Sequence, residues 1–165
     1  MWKERENVVA TPSHELDGGE RAAITDLLAR YAFCLDTYDL DGYLETFLPD
    51  GLLVSEGVAY PGHAAIRAFL EARGRTPNRK HFVGLSSVTG DGDRCAVRTY
   101  YLLASGDDEA CTVAAFGEYA DLCVKVGGEW RFQERICTRH FGRMFPVGAA
   151  EVEGRPNSGA GQELM

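Results

Sequence analysis

Apolar residues recur at Ile24, Leu27, Leu28, Tyr31 and Leu35, the spacing of one face of an α-helix, and predict a long helix beginning near Glu20. A second, shorter helix is expected from Leu40 to Phe47, where Tyr43, Leu44 and Phe47 share a face before Pro49-Asp50-Gly51 stops it. Leu52-Leu53-Val54 then opens a strand that runs to about Tyr60. Pro61-Gly62 precedes a third helix in which Ala65, Ile66, Phe69 and Leu70 repeat at helical spacing, and Gly74 and Pro77 end it.

From residue 80 onward the pattern changes period. Residues 80–89, 94–105, 110–126 and 129–141 are β-branched and aromatic runs separated by GDGD, SGDDE and VGGE turn clusters. Such short turns predict an antiparallel meander. Helices followed by long hairpins give an α+β fold, with the helices packed on one face of a curved, mostly antiparallel sheet. Residues 1–18 read as an arm and 148–165 as a flexible tail, because both mix charge, Gly and Pro without periodicity; the folded domain is then 19–147.

Composition narrows the function classes. The chain has 165 residues, 45% hydrophobic and 25% charged, which suits one globular core. A net charge of −8, without a basic stretch interleaved with aromatics, argues against a nucleic-acid partner. Five cysteines without a C-x-x-C pair read as reduced core residues of a cytoplasmic protein. No apolar run approaches the length of a membrane span, so no membrane partner is expected.

Candidate chemistry centres on His81 and Asp36. Strand alternation puts His81 on one face with Val83 and Leu85, so its imidazole is a core histidine, an exposed strand residue, or a base in a cavity. Asp36 follows the apolar stripe of the first helix directly, where it is either a solvated helix-end residue or a carboxylate reaching inward. A carboxylate bonded to one ring nitrogen would leave the other to take a proton from a substrate. Tyr31 lies on the buried stripe as a core aromatic or a phenol donor, and Tyr38 reads the same way. In the last strand, Trp130, Phe132 and Ile136 alternate with Arg131, Arg135 and Arg139; only a bulge would turn Arg139 inward. Phosphate loops, G-x-S-x-G, HExxH and metal-ligand spacings are lacking, so no cofactor and no metal are expected.

The segments LLARYAFCLDTYDLDGYLETFLPDG, YPGHAAIRAFL, KHFVGLSSVTGDGDRCAV and GEYADLCVKVGGEWRFQERICTRHFG, in that order and spacing, resemble the SnoaL-like members of the nuclear-transport-factor-2-like superfamily. That family includes polyketide cyclases, scytalone dehydratase, bile-acid dehydratase and hexachlorocyclohexane dehydrochlorinase. The resemblance implies a cone-shaped open barrel with an apolar pocket. It places the helix-one aspartate and the strand histidine of the catalytic pair on Asp36 and His81, and a pocket tyrosine on Tyr31. Arg139 looks similar to the late-strand arginine of the bile-acid enzyme, and Tyr38-Asp39 to a Tyr-Asp pair of scytalone dehydratase. A second histidine is missing from the strand around Arg98 to Leu102, where Thr99, Tyr100 and Tyr101 stand instead.

The expected function is therefore a cofactor-independent lyase, a dehydratase or dehydrohalogenase, in which His81 and Asp36 abstract a proton from an apolar cyclic small molecule, assisted by Tyr31 or Arg139. An isomerase or cyclase would use the same pair. A non-catalytic pocket protein, or the small β subunit of an aromatic-ring dioxygenase, is the alternative of another class. The expected pocket lining adds Leu35, Tyr38, Phe69, Val83, Leu85 and Phe116, and the broad sheet face suggests a homodimer or homotrimer.

Overall fold

The computed structural model describes residues 16–76 and 78–142, so the expected tail, His14, Pro77 and most of the arm lie outside the described residues. Helix α1 spans Gly18–Thr37 and is capped by Asp17, whose carboxylate accepts the Glu20 N–H at 2.8 Å. Its predicted stripe is the buried face: Ile24 and Leu27 are fully buried, and Leu28 and Tyr31 nearly so. Each such side chain contributes roughly 1.5–3 kcal/mol through burial. Leu16, just ahead of the cap, joins the same core.

Helix α2, Leu40–Glu45, is shorter than its apolar pattern suggested. The Thr46 hydroxyl turns back to the Tyr43 carbonyl at 2.6 Å, and the Thr46 carbonyl accepts the Phe132 N–H at 2.8 Å. Phe47 is thereby drawn into strand β1, Phe47–Ser55, because a long-range backbone bond outweighs local helical spacing. The run to Tyr60 is likewise two strands. It folds at Glu56-Gly57, with φ values of 52° and 78°, into a hairpin between β1 and β2, Val58–Pro61. Helix α3, Gly62–Arg73, ends at Gly74 as expected.

Four long strands complete the sheet: β3, Arg79–Asp91; β4, Arg94–Gly106; β5, Cys111–Val126; and β6, Glu129–Gly142. The order is β2-β1-β6-β5-β4-β3, with β1 parallel to β6 and every other neighbour antiparallel. The sheet is curved and unclosed, and the helices cover its inner face. Bulges accompany the curvature. Extra residues sit at Leu85 in β3, Ala114 in β5, and Gln133 and His140 in β6, each bending its strand and reversing which side chains face inward.

The inner face is aromatic. Tyr31 lies with its ring centroid 4.7 Å from Tyr43, 5.6 Å from Tyr119 and 5.8 Å from Phe132. Tyr101 stacks on Tyr119 at 4.5 Å, an arrangement that requires glycine at position 117, since a Cβ there would stand 2.7 Å from the Tyr101 ring. Among the described residues no helix is long and apolar enough to cross a membrane.

Candidate functional site

Asp36 occupies the last turn of α1, which ends in a left-handed residue that is not glycine. Tyr38 has φ 63°, and this turn lets the Asp39 N–H reach the Cys34 carbonyl at 2.9 Å. Left-handed tyrosine costs roughly 1 kcal/mol or more, a strain of the kind that collects at functional sites. Opposite Asp36 runs β3, which is an edge strand, so alternate N–H groups have no ladder partner. Asp36 takes one of them: its Oδ2 accepts the His81 backbone N–H at 2.9 Å. Its Oδ1 lies 2.6 Å from His81 Nδ1.

Both oxygens of one carboxylate are thus spent on a single residue. The two side chains are 6% and 8% exposed, so water competes little for the pair. With Asp36 ionised, Nδ1 carries the proton and Nε2 presents its lone pair. Such a ring is oriented twice, through its backbone and through its side chain.

His81 stands in the wall between two small cavities of about 20 and 10 Å³, each with space for about one water. The larger is lined by Tyr31, Leu35, Tyr43, Phe69, Tyr119 and Cys137, among others. The smaller is lined by Asp36, Tyr38, Arg73, Thr76 and Arg79, again with Leu35. Burial raises the Tyr31 hydroxyl far above the usual phenol range and pushes the Cys137 thiol up to about 12. Both groups therefore stay protonated near neutrality, Tyr31 as a hydrogen-bond donor.

Most of the sequence-derived candidates converge here. Asp36, His81, Tyr31, Tyr38, Leu35 and Phe69 all line one cavity or both. The Tyr38 hydroxyl points at the Leu70 carbonyl, 3.5 Å away, and Phe69 stacks on Tyr60 at 4.3 Å. Val83 is half-buried against the core. Two expectations are overturned. Leu85, the bulged residue of β3 with φ 54°, is thrown to the outer face and is 86% exposed. Phe116 alternates with buried Ala115 and Gly117 and packs outside on Tyr100 and Phe141.

Arg139 is turned inward by the Gln133 bulge, but its guanidinium pairs with Glu56 at 2.6 Å. The same bulge carries Arg135 inside, contrary to the simple alternation read from the sequence. Arg135 is fully buried, bonds Asp121 through Nε at 2.8 Å and Nη2 at 2.6 Å, and lies 4.0 Å above the Tyr31 ring and 4.2 Å above Tyr119. Burial works against its charge, yet the Asp121 carboxylate outweighs this and holds the guanidinium well above its ordinary range. Arg73 and Arg79 also went unselected. Arg79 was legible, because it stands two residues before His81 and period two puts both on one face.

Residues 19–136 match the SnoaL-like domain family. Among curated proteins none matches this chain. A solved variant of Rv3472, a protein of unknown function from Mycobacterium tuberculosis, is 25% identical over 73% of this chain and 72% of its own, with a TM-score of 0.66. An NTF2-like protein with a cystatin-like fold from Novosphingobium aromaticivorans is 23% identical, covering 76% of this chain and 85% of its own at a TM-score of 0.65. A candidate scytalone dehydratase from the same organism is 22% identical, covering 84% and 96% at a TM-score of 0.65. The family includes dehydratases, isomerases and cyclases. With residues 19–136, more than two-thirds of its length, matched and the open barrel in place, the chain belongs to the SnoaL-like domain family.

Proposed function

We propose that this protein is a cofactor-independent lyase in which His81 Nε2 removes a carbon-bound proton and Asp36 orients and charges the ring. One observation carries the reading: the Asp36 carboxylate holds His81 at both Nδ1 and the backbone N–H, 2.6 and 2.9 Å away, beside two cavities. In the forward step the C–H electron pair moves into a new C=C bond, the proton passes to Nε2, and a neighbouring hydroxyl or halide leaves with the electrons of its own bond. The imidazolium that forms is stabilised by ionised Asp36. Tyr31, protonated and lining the same cavity as His81, is the donor available to a departing oxygen. Arg139 is less suited to that role while Glu56 engages it.

The test uses cyclic β-hydroxyketones and halocyclohexanes in D2O, with elimination and deuterium incorporation followed by NMR. His81→Ala should lower the rate by about 10²–10⁴-fold, the usual worth of a positioned base. Deuterium uptake without loss of the leaving group would assign an isomerase or cyclase to the same pair. Undiminished rates in both His81→Ala and Asp36→Asn would sink the mechanism.

A further inference from the structure

Inside the barrel, the inward side chains of neighbouring strands fall in rows. One row runs Thr99, Tyr119, Cys137 and Ser55 across β4, β5, β6 and β1. The next runs Val83, Tyr101, Gly117 and Arg139 across β3 to β6, and a third opens with His81 and Leu103. The aromatic cavity takes Tyr119, Cys137 and Ser55 from the first row and His81 from the third. Tyr101 therefore lies in the row between its walls, about 7 Å from His81 as a diagonal neighbour on one face. Its ring stacks on Tyr119 and lies across Gly117, where a Cβ would stand 2.7 Å from both Cε1 and Cζ, so the hydroxyl is carried over β5 toward β6.

Tyr101 is 2% exposed, and its hydroxyl has no hydrogen-bond partner among the described residues. An unpaired buried hydroxyl is costly, so its partner comes from outside the chain, as a water or as an atom of a ligand. Burial raises the hydroxyl above the usual phenol range, and it stays protonated near neutrality as a donor. The charged groups that reach it, Glu56 and Arg139, are paired with each other at 2.6 Å. A neutral donor beside a compensated pair suits a neutral acceptor such as a carbonyl oxygen. A carbonyl is also what a histidine base needs, because it takes up the charge as an adjacent C–H bond breaks. The cavity has room for about one water, so a ring must widen it from the helix side, where Leu35 and Phe69 are only partly buried.

We infer that Tyr101 is a further catalytic residue, which donates a hydrogen bond to the carbonyl oxygen of a cyclic ketone whose adjacent carbon His81 deprotonates. This rests on the His81–Asp36 reading proposed above, and it selects β-hydroxyketones over halocyclohexanes as substrates. The proton passes to His81 Nε2 while the C–H electron pair shifts toward the carbonyl, whose oxygen gains negative charge against the Tyr101 O–H. The pair then returns to form C=C as the β-hydroxyl departs with the electrons of its C–O bond. That oxygen, bonded by Tyr31, leaves as water after taking the proton from the imidazolium. Tyr101 keeps its own proton throughout.

Calorimetric titration with cyclohexanone, 1-indanone and 1-tetralone, each paired with the hydrocarbon that has C=CH2 in place of C=O, tests the inference without the true substrate. The full-length protein should bind at least one ketone about tenfold more tightly than its hydrocarbon, the scale of one well-placed hydrogen bond. Tyr101→Phe should abolish that preference and leave hydrocarbon affinity in place. It should also leave the thermal midpoint of the free protein unchanged or slightly higher, because the hydroxyl it removes bonds nothing in the fold. Turnover of a β-hydroxyketone should fall about 10²–10³-fold, the usual loss with one oxyanion donor. A ketone preference that survives in Tyr101→Phe overturns the inference, as does the lack of any preference in the unaltered protein. A lowered midpoint in Tyr101→Phe overturns it too, since the hydroxyl would then serve the fold through a fixed water. His81→Ala separates the two readings: a ketone preference retained in that variant supports the Tyr101 contact, whatever becomes of the elimination assay.

Discussion

Among the described residues, the ion pairs Arg135–Asp121 and His81–Asp36 each have both side chains less than a tenth exposed, and they differ in setting. Arg135–Asp121 joins adjacent strands at the centre of the sheet, is fully buried, and is sealed by Tyr31, Tyr119 and Phe132. His81–Asp36 joins a helix end to an edge strand and borders open space on two sides. An arginine is always charged, so the first pair cannot respond to pH near neutrality. An imidazole, unlike a guanidinium, can both accept and release a proton, so the second pair is the one to which proton transfer is assigned in the proposed function. Similar geometry thus serves as a structural clasp in one place and, under the proposed function, as the reactive group in the other, with exposure to a cavity as the difference.

The largest effect that would break this contrast is on stability. Asp121→Ala leaves a buried, unpaired guanidinium and should cost about 3–5 kcal/mol in urea denaturation. Replacing both partners, Arg135→Met with Asp121→Leu, should recover most of that loss, since apolar residues of similar volume need no desolvation. If the double variant is as unstable as the single one, the pair does more than satisfy its own charges.

Asp36→Asn should behave in the opposite way. It should cost only about 1 kcal/mol of stability, the worth of a hydrogen bond at a part-buried site, while turnover falls steeply. A stability loss as large as that of Asp121→Ala would make both pairs structural.

Smaller effects sharpen the picture. Cys137 borders the cavity, but with its thiol held at about 12 it is almost wholly protonated at pH 8, whereas Cys111 is exposed. Iodoacetamide at pH 8 should therefore label Cys111 in the native protein and Cys137 only after unfolding, as read by peptide mass spectrometry. Rapid native labelling of Cys137 would mean that the cavity is wet.

The smallest effect concerns a third pair, at the surface. Glu20 accepts from Lys125 at 2.5 Å and from Trp130 at 2.6 Å, and these bonds hold its carboxyl below the usual carboxylate range. A depressed carboxylate adds stability above its unfolded value, and that stability disappears as pH falls through the folded one. Glu20→Gln should accordingly lower the thermal midpoint slightly at pH 7 and not at pH 3.

Local pattern was enough for much of this architecture. The α1 stripe, the α3 stripe and the four long strands were legible because each depends on residues adjacent in sequence, and so was the face of Tyr31. Asp36 and His81 are 45 residues apart, and spacing only permitted their meeting; the resemblance named them. What the chain alone determined was which residues are apolar, at what period, and which carry acid–base chemistry. What only the tertiary structure decided was set by four single-residue bulges and one backbone bond. Leu85 turned outward and Arg135 inward because one extra residue reverses every later side chain, and Phe47 left its helix because Phe132 offered an N–H to Thr46. Such events depend on the register between strands, which is a property of the pair and is written in neither strand.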